Sequence, residues 1–574
     1  MTTYLEANRL TNGTKDHNSS ILLEGTRDAL DHLLYKAKHQ LPEECFPHIA
    51  KANFSTANTG TPYFPSPLKQ TEAISALKAV EAGVAAAIAD FSYGAQDREI
   101  DVDLERASAF LFSTYLATVG GMNKGHPEVQ TLLKDTDLLK AQSILYRRLS
   151  ANLYETKNHG EYFHLHGSLE ATTALNMVGL EGHRPDLTDY HECINTIEDH
   201  VKQFTADELE EMNAKAKQAG VTCLKWEDFQ KTQHGQELIQ QPPWKVESLE
   251  TDSPPQPFPC TPSPKPQILS GIRVLELCRI IAGPAMGRGL AEYGAEVIKI
   301  TSPNLSDVPF FQVDGNLGKH TANLDLRNPQ DRMTFEALLQ SADVILDGYR
   351  PGSLIRLGYG PRQILTLTKR RQRGIVYVAE NCFGHIGPWS SRPGWQQIAD
   401  CVTGVAWQQG LSMELDEPVV PPFPMSDYGT GCMGTIAALV GLYKRAKFGG
   451  SYLGTTSLCQ YDIYLLQLGV YDGELMEQLR NAHDKEFFEL RHHDSVDEVG
   501  KRALKTMRRM HPELFGERHM QECFSRGFKA KVRTVRPVVY IEGTWNGFLR
   551  SSRPNGFDDA TWEGWEVDED MLKS

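Results

Sequence analysis

Short apolar runs alternate with helix-capable stretches in the chain beyond residue 268. Four strand candidates cover residues 272–277, 296–300, 342–346 and 374–378, and helix-capable stretches separate them. Such alternation predicts parallel strands joined by crossover helices, which is an α/β arrangement. The turn after the first strand contains Ala282-Gly283-Pro284 rather than Gly-x-Gly-x-x-Gly, so the pattern does not indicate a dinucleotide site.

Two long segments with a helical stripe resemble each other. Residues 72–94 have apolar side chains at positions 74, 77, 80, 84, 88 and 91, and residues 427–449 have them at 432, 436, 439, 442 and 443. Spacings of three and four residues predict amphipathic helices. Each segment ends at a glycine and is followed by a short extended stretch and a further helix. We therefore predict a degenerate duplication.

Composition divides the chain into regions. Nine prolines between residues 242 and 267 exclude a helix or a central strand, so this stretch is predicted to be a semi-extended linker. Residues 1–65 are polar and are predicted to form a loosely ordered tail. A chain of 574 residues exceeds the roughly 250–300 residues of a single core, so we expect separate units at 66–241 and 268–470. Residues 471–574 form a C-terminal extension.

Charge and cysteine content narrow the classes of function. The net charge is −15 and the pI is about 5.7, which argues against a nucleic-acid partner. No apolar run reaches the roughly 18–20 residues of a membrane span, and the sequence lacks a secretory signal or a peroxisomal tripeptide. Ten cysteines without a Cys-x-x-Cys pair indicate reduced thiols. We expect a cytoplasmic protein without a membrane partner.

An ordered series of short blocks follows the linker. The blocks are residues 269–277, 282–284, 294–300, 318–319, 324–327, 342–352, 383–388, 392–395 and 427–431. In this order and spacing they resemble the family III CoA-transferases (the CaiB/BaiF family), which include formyl-CoA transferases and 2-methylacyl-CoA racemases. The resemblance covers about residues 268–465. It implies a Rossmann-like parallel sheet with crossover helices plus a smaller α+β domain.

The region before the linker resembles the later portion of the same family unit. Residues 149–157 and 162–165 resemble the strands that lead into the family's small domain, and residues 204–209 and 219–221 resemble its closing helix and turn. The resemblance therefore implies a truncated unit at 66–241 followed by the front of a second unit. The family forms interlocked dimers, so the two part-units could mimic that arrangement, or the chain could still form a homodimer.

Asp427 is the candidate catalytic residue. Judged from the residues alone it suits a helix cap, because Ser426-Asp427 directly precedes the apolar stripe. The resemblance implies that it is a nucleophile that attacks an acyl-CoA thioester and later yields CoA to a small carboxylic acid, with no metal required. Backbone N–H groups would hold the oxyanion, which Gly429 and Gly431 make sterically possible. Glu72 occupies the matching place in the first helix, as a relic or as a first-turn acid.

The resemblance also implies a binding site for coenzyme A, as the acyl-CoA substrate. Gly348-Tyr349-Arg350-Pro351-Gly352 resembles the family's Asn-Phe-Arg-Pro-Gly, with Gly348 in place of Asn, and Thr301 and Ser302 replace the family's usual Glu and basic residue. The residues expected to contact CoA are Ile281, Ala282, Gly283, Arg327, Gly348, Tyr349, Arg350, Arg356 and Trp395.

Two alternatives to a CoA-transferase remain. A racemase of this family needs a His and an Asp as bases, but the sequence has Trp395-Gln396 at the corresponding place, and a tryptophan cannot transfer a proton. His385 is a conceivable substitute. The other alternative is a non-catalytic member that binds CoA esters, which the changed CoA positions favour. Glu161, His164 and His166 suggest a metal site only weakly, since no third ligand is evident beside the two histidines.

Overall fold

A computed structural model of the chain describes residues 20–58, 60–260, 263–565, 567–568 and 571. The region before residue 241 contains short strands and mostly short helices. Its strands are β1 (Asn53–Ser55), β2 (Ile100–Asp103), β3 (Thr118–Val119), β4 (Ala151–Glu155), β5 (Tyr162–His166) and β6 (Val221–Thr222). Its helices are α1 (Ile21–Ala37), α2 (Phe46–Ala50), α3 (Gln70–Tyr93), α4 (Leu104–Phe110), α5 (Ser113–Leu116), α6 (Leu145–Arg148), α7 (Thr172–Met177), α8 (Tyr190–Val201), α9 (Ala206–Ala216), α10 (Trp226–Phe229) and α11 (Gln233–Ile239).

The smaller domain is an antiparallel sheet covered by helices. Strands β4, β5 and β6 pair in that order, and helix α9 packs against β5, β6 and α7. Its own apolar core includes Phe163, Leu165, Ile197 and Leu209, which alternate along the strand or recur along the helices. The predicted smaller α+β domain is confirmed.

The largest sheet has seven strands and begins within the proline-rich stretch. Its strands are β7 (Trp244–Glu250), β8 (Arg273–Leu277), β9 (Glu296–Thr301), β10 (His320–Asn323), β11 (Val344–Asp347), β12 (Val376–Asn381) and β13 (Ser451–Ser457). The spatial order is β10-β9-β8-β11-β12-β13-β7, and all neighbours are parallel except the antiparallel pair β13/β7. The helices of this part are α12 (Ala282–Glu292), α13 (Gln312–Gly315), α14 (Pro329–Leu339), α15 (Ser353–Leu357), α16 (Pro361–Thr368), α17 (Gln396–Thr403), α18 (Val405–Ser412), α19 (Met425–Phe448) and α20 (Leu458–Gln467). The predicted α/β class with a parallel sheet is confirmed.

Helix α19 lies at the centre of the molecule. It packs against α12, α3, β12 and β13, and its side chains are buried along nearly its whole length. A Cβ at Gly431 would lie 2.4 Å from the Cβ of Ala285, and one at Gly434 would lie 2.1 Å from the sulfur of Met286. The small residues therefore let α12 approach α19 closely.

Helices α3 and α19 correspond in detail. Each has 24 residues, each ends at a glycine with positive φ, Gly94 (93°) and Gly449 (75°), and each is followed by a strand and then at once by a helix. Strand β2 is parallel to β1 as β13 is parallel to β12. Glu72 and Asp427 are both the third residue of their helix. This correspondence supports the predicted duplication.

The prediction of a loosely ordered tail is wrong for part of residues 1–65, of which residues 1–19 and 59 lie outside the described part. Helix α1 covers residues 21–37 and packs on α3. Its buried side chains recur at helical spacing: Leu22, Thr26, Ala29, Leu30, Leu33 and Ala37. The polar composition of the segment as a whole concealed this stripe, which is enough to bind a short helix to the core.

The linker prediction needs refinement. Residues 244–250 form β7 at the edge of the large sheet, beside β13. An edge strand tolerates neighbouring prolines because one side of it needs no ladder hydrogen bonds. Apart from β7, the described residues of the stretch, 242–260 and 263–267, form neither a helix nor a strand.

The C-terminal extension closes over the N-terminal region. It contains α21 (Gly473–Ala482), α22 (Lys485–Phe488), α23 (Val496–Met510), β14 (Met520–Ser525), β15 (Ala530–Val535) and β16 (Val539–Ile541). Strand β15 pairs with β3, and β16 pairs with β2. Within the described residues, no helix combines the length and the apolar character needed to cross a lipid bilayer.

Candidate active site

Asp427 lies in a crevice where strand ends and helix starts meet. The carboxyl ends of β8, β11 and β12 face this crevice, which is where open parallel sheets usually bind ligands. Helices α12 and α19 both begin there. Asp427 is partly exposed, whereas its neighbours Ser426 and Tyr428 are buried. The carboxylate is therefore the part of the first turn of α19 that a ligand can reach.

The surroundings of Asp427 disfavour its charged form. Burial raises the pKa of Asp427 well above its usual range, the charges of Glu380 and Asp400 raise the pKa further, and a backbone hydrogen bond from Ala282 lowers it. Ala282 is the first residue of α12, so its N–H belongs to a helix terminus, which favours a negative charge. The Asp427 carboxylate thus lies in apolar surroundings, and the N-terminus of α12 stabilises its charge from one side.

A second pair of carboxyl groups lies behind Asp427. Asp400 accepts a hydrogen bond from Ser426 Oγ at 2.9 Å and another from the side chain of Gln396, while Asp462 accepts one from Thr403 Oγ1 at 3.2 Å. Burial raises the pKa of Asp400 to about 8, and burial followed by the charge of Asp400 raises the pKa of Asp462 well above its usual range. The sequence analysis missed both residues, although Asp400 comes only four residues after Gln396.

Glu380 is a further acid that the sequence analysis missed. It stands at the end of β12, and a Cβ at Gly348 would lie 3.1 Å from its Oε2 atom. Among the described residues no hydrogen-bond partner of its carboxyl group is found. Burial, and then the charge of Asp347, raises the pKa of Glu380 to about 8. The sequence feature that could have identified Glu380 is its position as a single acidic residue directly after the apolar run 375–379.

The turn before α12 meets Gly348 across the crevice. Ile281 has a φ of +41°, which costs backbone energy in a β-branched residue and is typical of a constrained site. A Cβ at Gly283 would lie 2.4 Å from the sulfur of Cys278. The structure therefore brings together Ile281, Ala282, Gly283 and Gly348, four of the residues predicted to contact CoA, beside Asp427.

Basic groups line the crevice on the side of β8. Arg279 borders a cavity that also includes Ile281 and Tyr428, and it borders a second cavity of about 100 Å³ with Lys134, Thr301 and Ser302. Its guanidinium donates to the carbonyl of Ser306 at 2.9 Å. The sequence analysis missed Arg279, although it lies only three residues before the predicted turn at Ala282. It also missed Lys134, which a distant part of the chain supplies without any local signal.

The predicted Tyr349 and Arg350 lie near these basic groups. Tyr349 is partly buried, and burial raises the pKa of its hydroxyl while Arg279 lowers it. Arg350 is exposed, and its guanidinium is 3.4 Å from the carbonyl of Lys217 in the segment that follows α9. Its pKa is lowered by burial and then by the charge of Arg279. Both residues therefore remain candidates for CoA contacts.

The predicted Arg327 and Arg356 lie elsewhere on the surface. Arg327 is exposed and forms a two-pronged ion pair with Asp325, with N–O distances of 3.0 and 2.9 Å. Arg356 is also exposed and donates to Ser353 Oγ at 3.1 Å. Neither residue lines the two cavities around Arg279. Asp427 does not line these cavities either, and the described contacts of Arg327 and Arg356 are with Asp325 and Ser353 rather than with Asp427.

Trp395 connects the crevice to the smaller domain. Its Nε1 donates to Ser168 Oγ at 2.9 Å, and its ring stacks on His166 with a centroid distance of 5.6 Å and an interplanar angle of 1°. His385, the conceivable substitute base, instead has its Nε2 3.2 Å from the carbonyl oxygen of Thr456 on β13. Trp395 thus serves as a packing surface at the place where a racemase has its histidine.

In the described part of the chain, His164 and His166 do not have a carboxylate beside them. His164 and His166 stack on each other, whereas Glu161 accepts a hydrogen bond from the backbone N–H of Ala206 at 2.9 Å. A different group, Glu198 with His492 and His493, is the metal-like cluster of the described residues.

The contacts of His492 fit an ion pair. Its Nε2 is 2.7 Å from Glu198 and its Nδ1 is 3.1 Å from Glu417. Burial alone would lower the pKa of His492, but these two carboxylates outweigh it and the net effect is a raised pKa. With both ring nitrogens facing carboxylates, the arrangement fits a protonated histidine that joins α8 to the segment after α18.

Glu72, the counterpart of Asp427, is closed off from solvent. Both of its carboxylate oxygens accept hydrogen bonds from the Tyr471 hydroxyl, at 2.9 and 3.0 Å, and α1 lies so near that a Cβ at Gly25 would be 3.0 Å from Glu72 Cγ. Burial raises the pKa of Glu72 to about 7, although the backbone and Tyr471 hydrogen bonds lower it. The counterpart of Asp427 in α3 is therefore closed to a ligand.

Comparison with known proteins gives consistent matches. A family model described as CoA-transferase family III matches residues 269–486. An acetyl-coenzyme A transferase, nodX, of Hypoxylon pulicicidum is 33% identical over 521 residues, which cover 87% of this chain and 86% of that protein. An acyl-CoA transferase of Gibberella moniliformis is 34% identical over 435 residues, or 74% and 75% of the two chains.

Solved structures match a smaller share. A CaiB/BaiF family protein from Brucella suis is 26% identical with a TM-score of 0.30, and the match covers 34% of this chain and 55% of that one. The two fungal relatives instead match over most of both chains, with identities above 30%. The chain therefore belongs to CoA-transferase family III.

Proposed function

We propose that the protein moves CoA from an acyl-CoA donor to a small carboxylic acid through a covalent intermediate on Asp427. The observation that carries this proposal is the partly exposed carboxylate of Asp427 at the start of α19, facing the crevice at the strand ends. Its counterpart Glu72 is sealed by Tyr471 and α1. One of the two related helices thus offers a nucleophile that a thioester can reach.

The reaction proceeds as a series of acyl exchanges. A carboxylate oxygen of Asp427 attacks the donor thioester, the carbon–sulfur bond breaks, and CoA leaves a mixed anhydride. The CoA sulfur attacks the aspartyl carbonyl, which releases the donor acid and forms an aspartyl-CoA thioester. The acceptor carboxylate attacks that thioester, and CoA finally attacks the acceptor carbonyl and frees Asp427.

The first turn of α12 supplies the groups that hold the oxyanion. First-turn N–H groups have no partner inside their own helix, and Ala282 already directs one toward Asp427. Gly429 and Gly431, expected to serve the oxyanion, have another role: a Cβ at Gly429 would lie 2.0 Å from the ring of Tyr461, and one at Gly431 would meet Ala285. These two glycines allow close packing of α19.

Arg279 and Lys134 hold the phosphates of CoA. Both line the cavity beside Thr301 and Ser302, where the family usually has charged residues. Guanidinium and ammonium groups bind phosphate oxygens strongly because both partners are charged. Tyr349 and Arg350 lie on the same side and extend the site toward the smaller domain.

The first test is chemical trapping of the intermediate. The enzyme is incubated with acetyl-CoA, the donor class suggested by the name of the Hypoxylon relative, and with a panel of carboxylic acids, and hydroxylamine or borohydride traps the adduct. We expect a modified Asp427 by mass spectrometry. Replacing Asp427 by Asn should lower the transfer rate by about 10³-fold or more and abolish the adduct, since the nucleophile is lost.

Glu72→Gln is the matched control, because Glu72 has the same position in the related helix. We expect it to retain the adduct and a transfer rate close to that of the wild type. A folded wild-type protein that binds CoA esters but forms no adduct and transfers no CoA would instead indicate a non-catalytic family member.

The racemase alternative now rests on Glu380 rather than on His385. Two acid–base groups must flank the α-carbon in such a reaction, and Glu380 is the acid whose charge acts most strongly on Asp427. Deuterium incorporation at the α-carbon of a 2-methylacyl-CoA without CoA transfer would favour this second function.

A further inference from the structure

Glu380 occupies an unusual position for a glutamate. It lies at the end of β12 beside Gly348, where an added Cβ would be 3.1 Å from Glu380 Oε2 and 2.9 Å from the sulfur of Cys278. Its carboxyl group has no hydrogen-bond partner in the part of the chain that the structure describes. A half-buried carboxyl group without a partner at the edge of the crevice can exchange a proton with a bound substrate.

The groups that face Glu380 are acids or thiols. They are Asp347 on β11, Cys278 after β8, Cys382 after β12 and Asp427 on α19. Two neighbouring carboxyl groups in an apolar place do not both ionise easily, and the charge of Glu380 raises the pKa of Asp427. When Asp427 is the carboxylate, Glu380 is the acid.

We propose that Glu380 is a general acid–base for the sulfur of CoA. It gives its proton to the sulfur as the carbon–sulfur bond of the thioester breaks, and it takes the proton back when the thiol attacks the next carbonyl. This proposal rests on the covalent role proposed for Asp427. It adds a second catalytic residue and assigns the path of the proton.

Atoms and charge balance in each half-step. The Asp427 carboxylate, protonated Glu380 and an acyl-CoA become the acyl anhydride of Asp427, the Glu380 carboxylate and free CoA thiol. The reacting groups, without the phosphates of CoA, have a summed charge of −1 before and after. In the return step the Glu380 carboxylate removes the thiol proton while sulfur attacks the aspartyl carbonyl, and the donor acid leaves as its carboxylate.

Acylation itself helps this proton to move. The carboxylate of Asp427 carries a negative charge before the reaction and none once it is acylated. Loss of the neighbouring charge makes Glu380 a stronger acid at the moment when the departing sulfur needs a proton. When CoA finally attacks the acceptor carbonyl and frees Asp427, the returning negative charge favours the proton on Glu380.

The decisive measurement compares two donors in wild-type enzyme and Glu380→Gln. With acetyl-CoA, whose alkyl thiolate is basic, we expect the variant to form the Asp427 adduct about 10²- to 10⁴-fold more slowly. With an acetyl thioester of an aromatic thiol, which leaves without a proton, the two rates should lie within a few-fold of each other. The pH profile of the wild type should fall where Glu380 loses its proton, and this limb should be absent in Glu380→Gln.

Two further variants separate the possible causes of a loss. Glu380→Asp keeps the acid and should recover part of the rate with acetyl-CoA, and it replaces Glu380→Gln if the latter does not fold. Glu72→Gln should leave both donors unaffected. Equal rates of Glu380→Gln and wild type with acetyl-CoA, or an equal loss with both donors, would overturn the role of Glu380. If the proposal for Asp427 is wrong, no adduct forms in the wild type. This outcome differs from the failure of the Glu380 role, in which the wild type still forms the adduct.

Discussion

Four carboxyl groups lie near the start of α19, which is more than packing requires. Asp427, Glu380, Asp400 and Asp462 all have pKa values raised first of all by burial. An acid that keeps its proton in the folded state but loses it in the unfolded state destabilises the fold. For Asp400, with a pKa of about 8, this loss accumulates as the pH rises from about 4 to 8.

Asp400→Asn should therefore stabilise the protein at high pH. The amide keeps the size of the side chain and can still accept the hydrogen bond from Ser426. At pH 8 we expect a free energy of unfolding higher by about 1–3 kcal/mol, and the difference should disappear toward pH 4. Thermal melts between pH 4 and 8 measure this, with Asp252→Asn at an exposed position as the control. A variant melting below the wild type at pH 8 would contradict it.

The sequence pointed to Asp427 but not to the acids around it. Asp427 follows from its place before an apolar stripe and from the blocks that surround it. Glu380 and Asp400 are ordinary acids in the sequence. Their environment depends on other elements of the chain: Cys278 and Gly348 lie beside Glu380, and Asp462 lies beside Asp400. Trp395 was correctly singled out, but its contacts with Ser168 and His166 depend on how the smaller domain docks.

Among the secondary-structure elements, α19 and α12 determine the geometry of the crevice. Their close approach depends on Gly431, where a Cβ would lie 2.4 Å from Ala285 Cβ and 3.1 Å from the carbonyl of Ala282. Ala282 also directs its N–H toward Asp427. Packing in the helix interior and the chemistry at its start are therefore mechanically linked.

Gly431→Ala tests this link. An added methyl group must push α12 away, so we expect a loss of about 1–3 kcal/mol in stability and a disproportionate fall in transfer rate. Denaturant unfolding and steady-state kinetics give the two quantities. Gly473→Ala, at a helical position with open space around it, is the matched control and should change neither. An unchanged free energy of unfolding in Gly431→Ala would show that α12 can move away from α19 without destabilising the protein, which would contradict the prediction.

The strands and long helices were predictable to a large extent. The periodic residues of α3 and α19 and the apolar runs of β8, β9, β11 and β12 determine their structure locally. Helix α1 was missed, because its apolar stripe is diluted by a polar surrounding segment. Strand β7 was also missed, because a sheet edge is defined by its neighbour β13 and not by its own residues.

In the whole molecule, the C-terminal extension is a structural part of the fold. The match to the family model ends at residue 486, yet β15 and β16 come later and pair with β3 and β2. Asn316 donates to the carbonyl of Arg553 at 2.8 Å, and Thr321 Oγ1 donates to that of Pro554 at 2.7 Å. The extension therefore ties the N-terminal region to the large sheet.

Removing residues 487–574 should abolish the cooperative fold. The truncated chain would expose two strand edges and the apolar side chains that β14–β16 cover. We expect aggregation or a melt without a sharp transition in circular dichroism, and no detectable CoA transfer. A soluble truncated protein with the wild-type melting temperature would show that the extension is dispensable.

The edge strand β7 has a consequence for solubility during folding. An uncovered β13 would offer a row of free backbone N–H and C=O groups to any other chain, which is the usual start of sheet-to-sheet aggregation. Strand β7 covers that row, and one face of β7 carries Lys245 and Glu247, which pair with each other. Charged side chains next to a proline-rich segment disfavour the pairing of a further strand with β7. The stretch that connects the two part-units therefore also protects the chain from self-association.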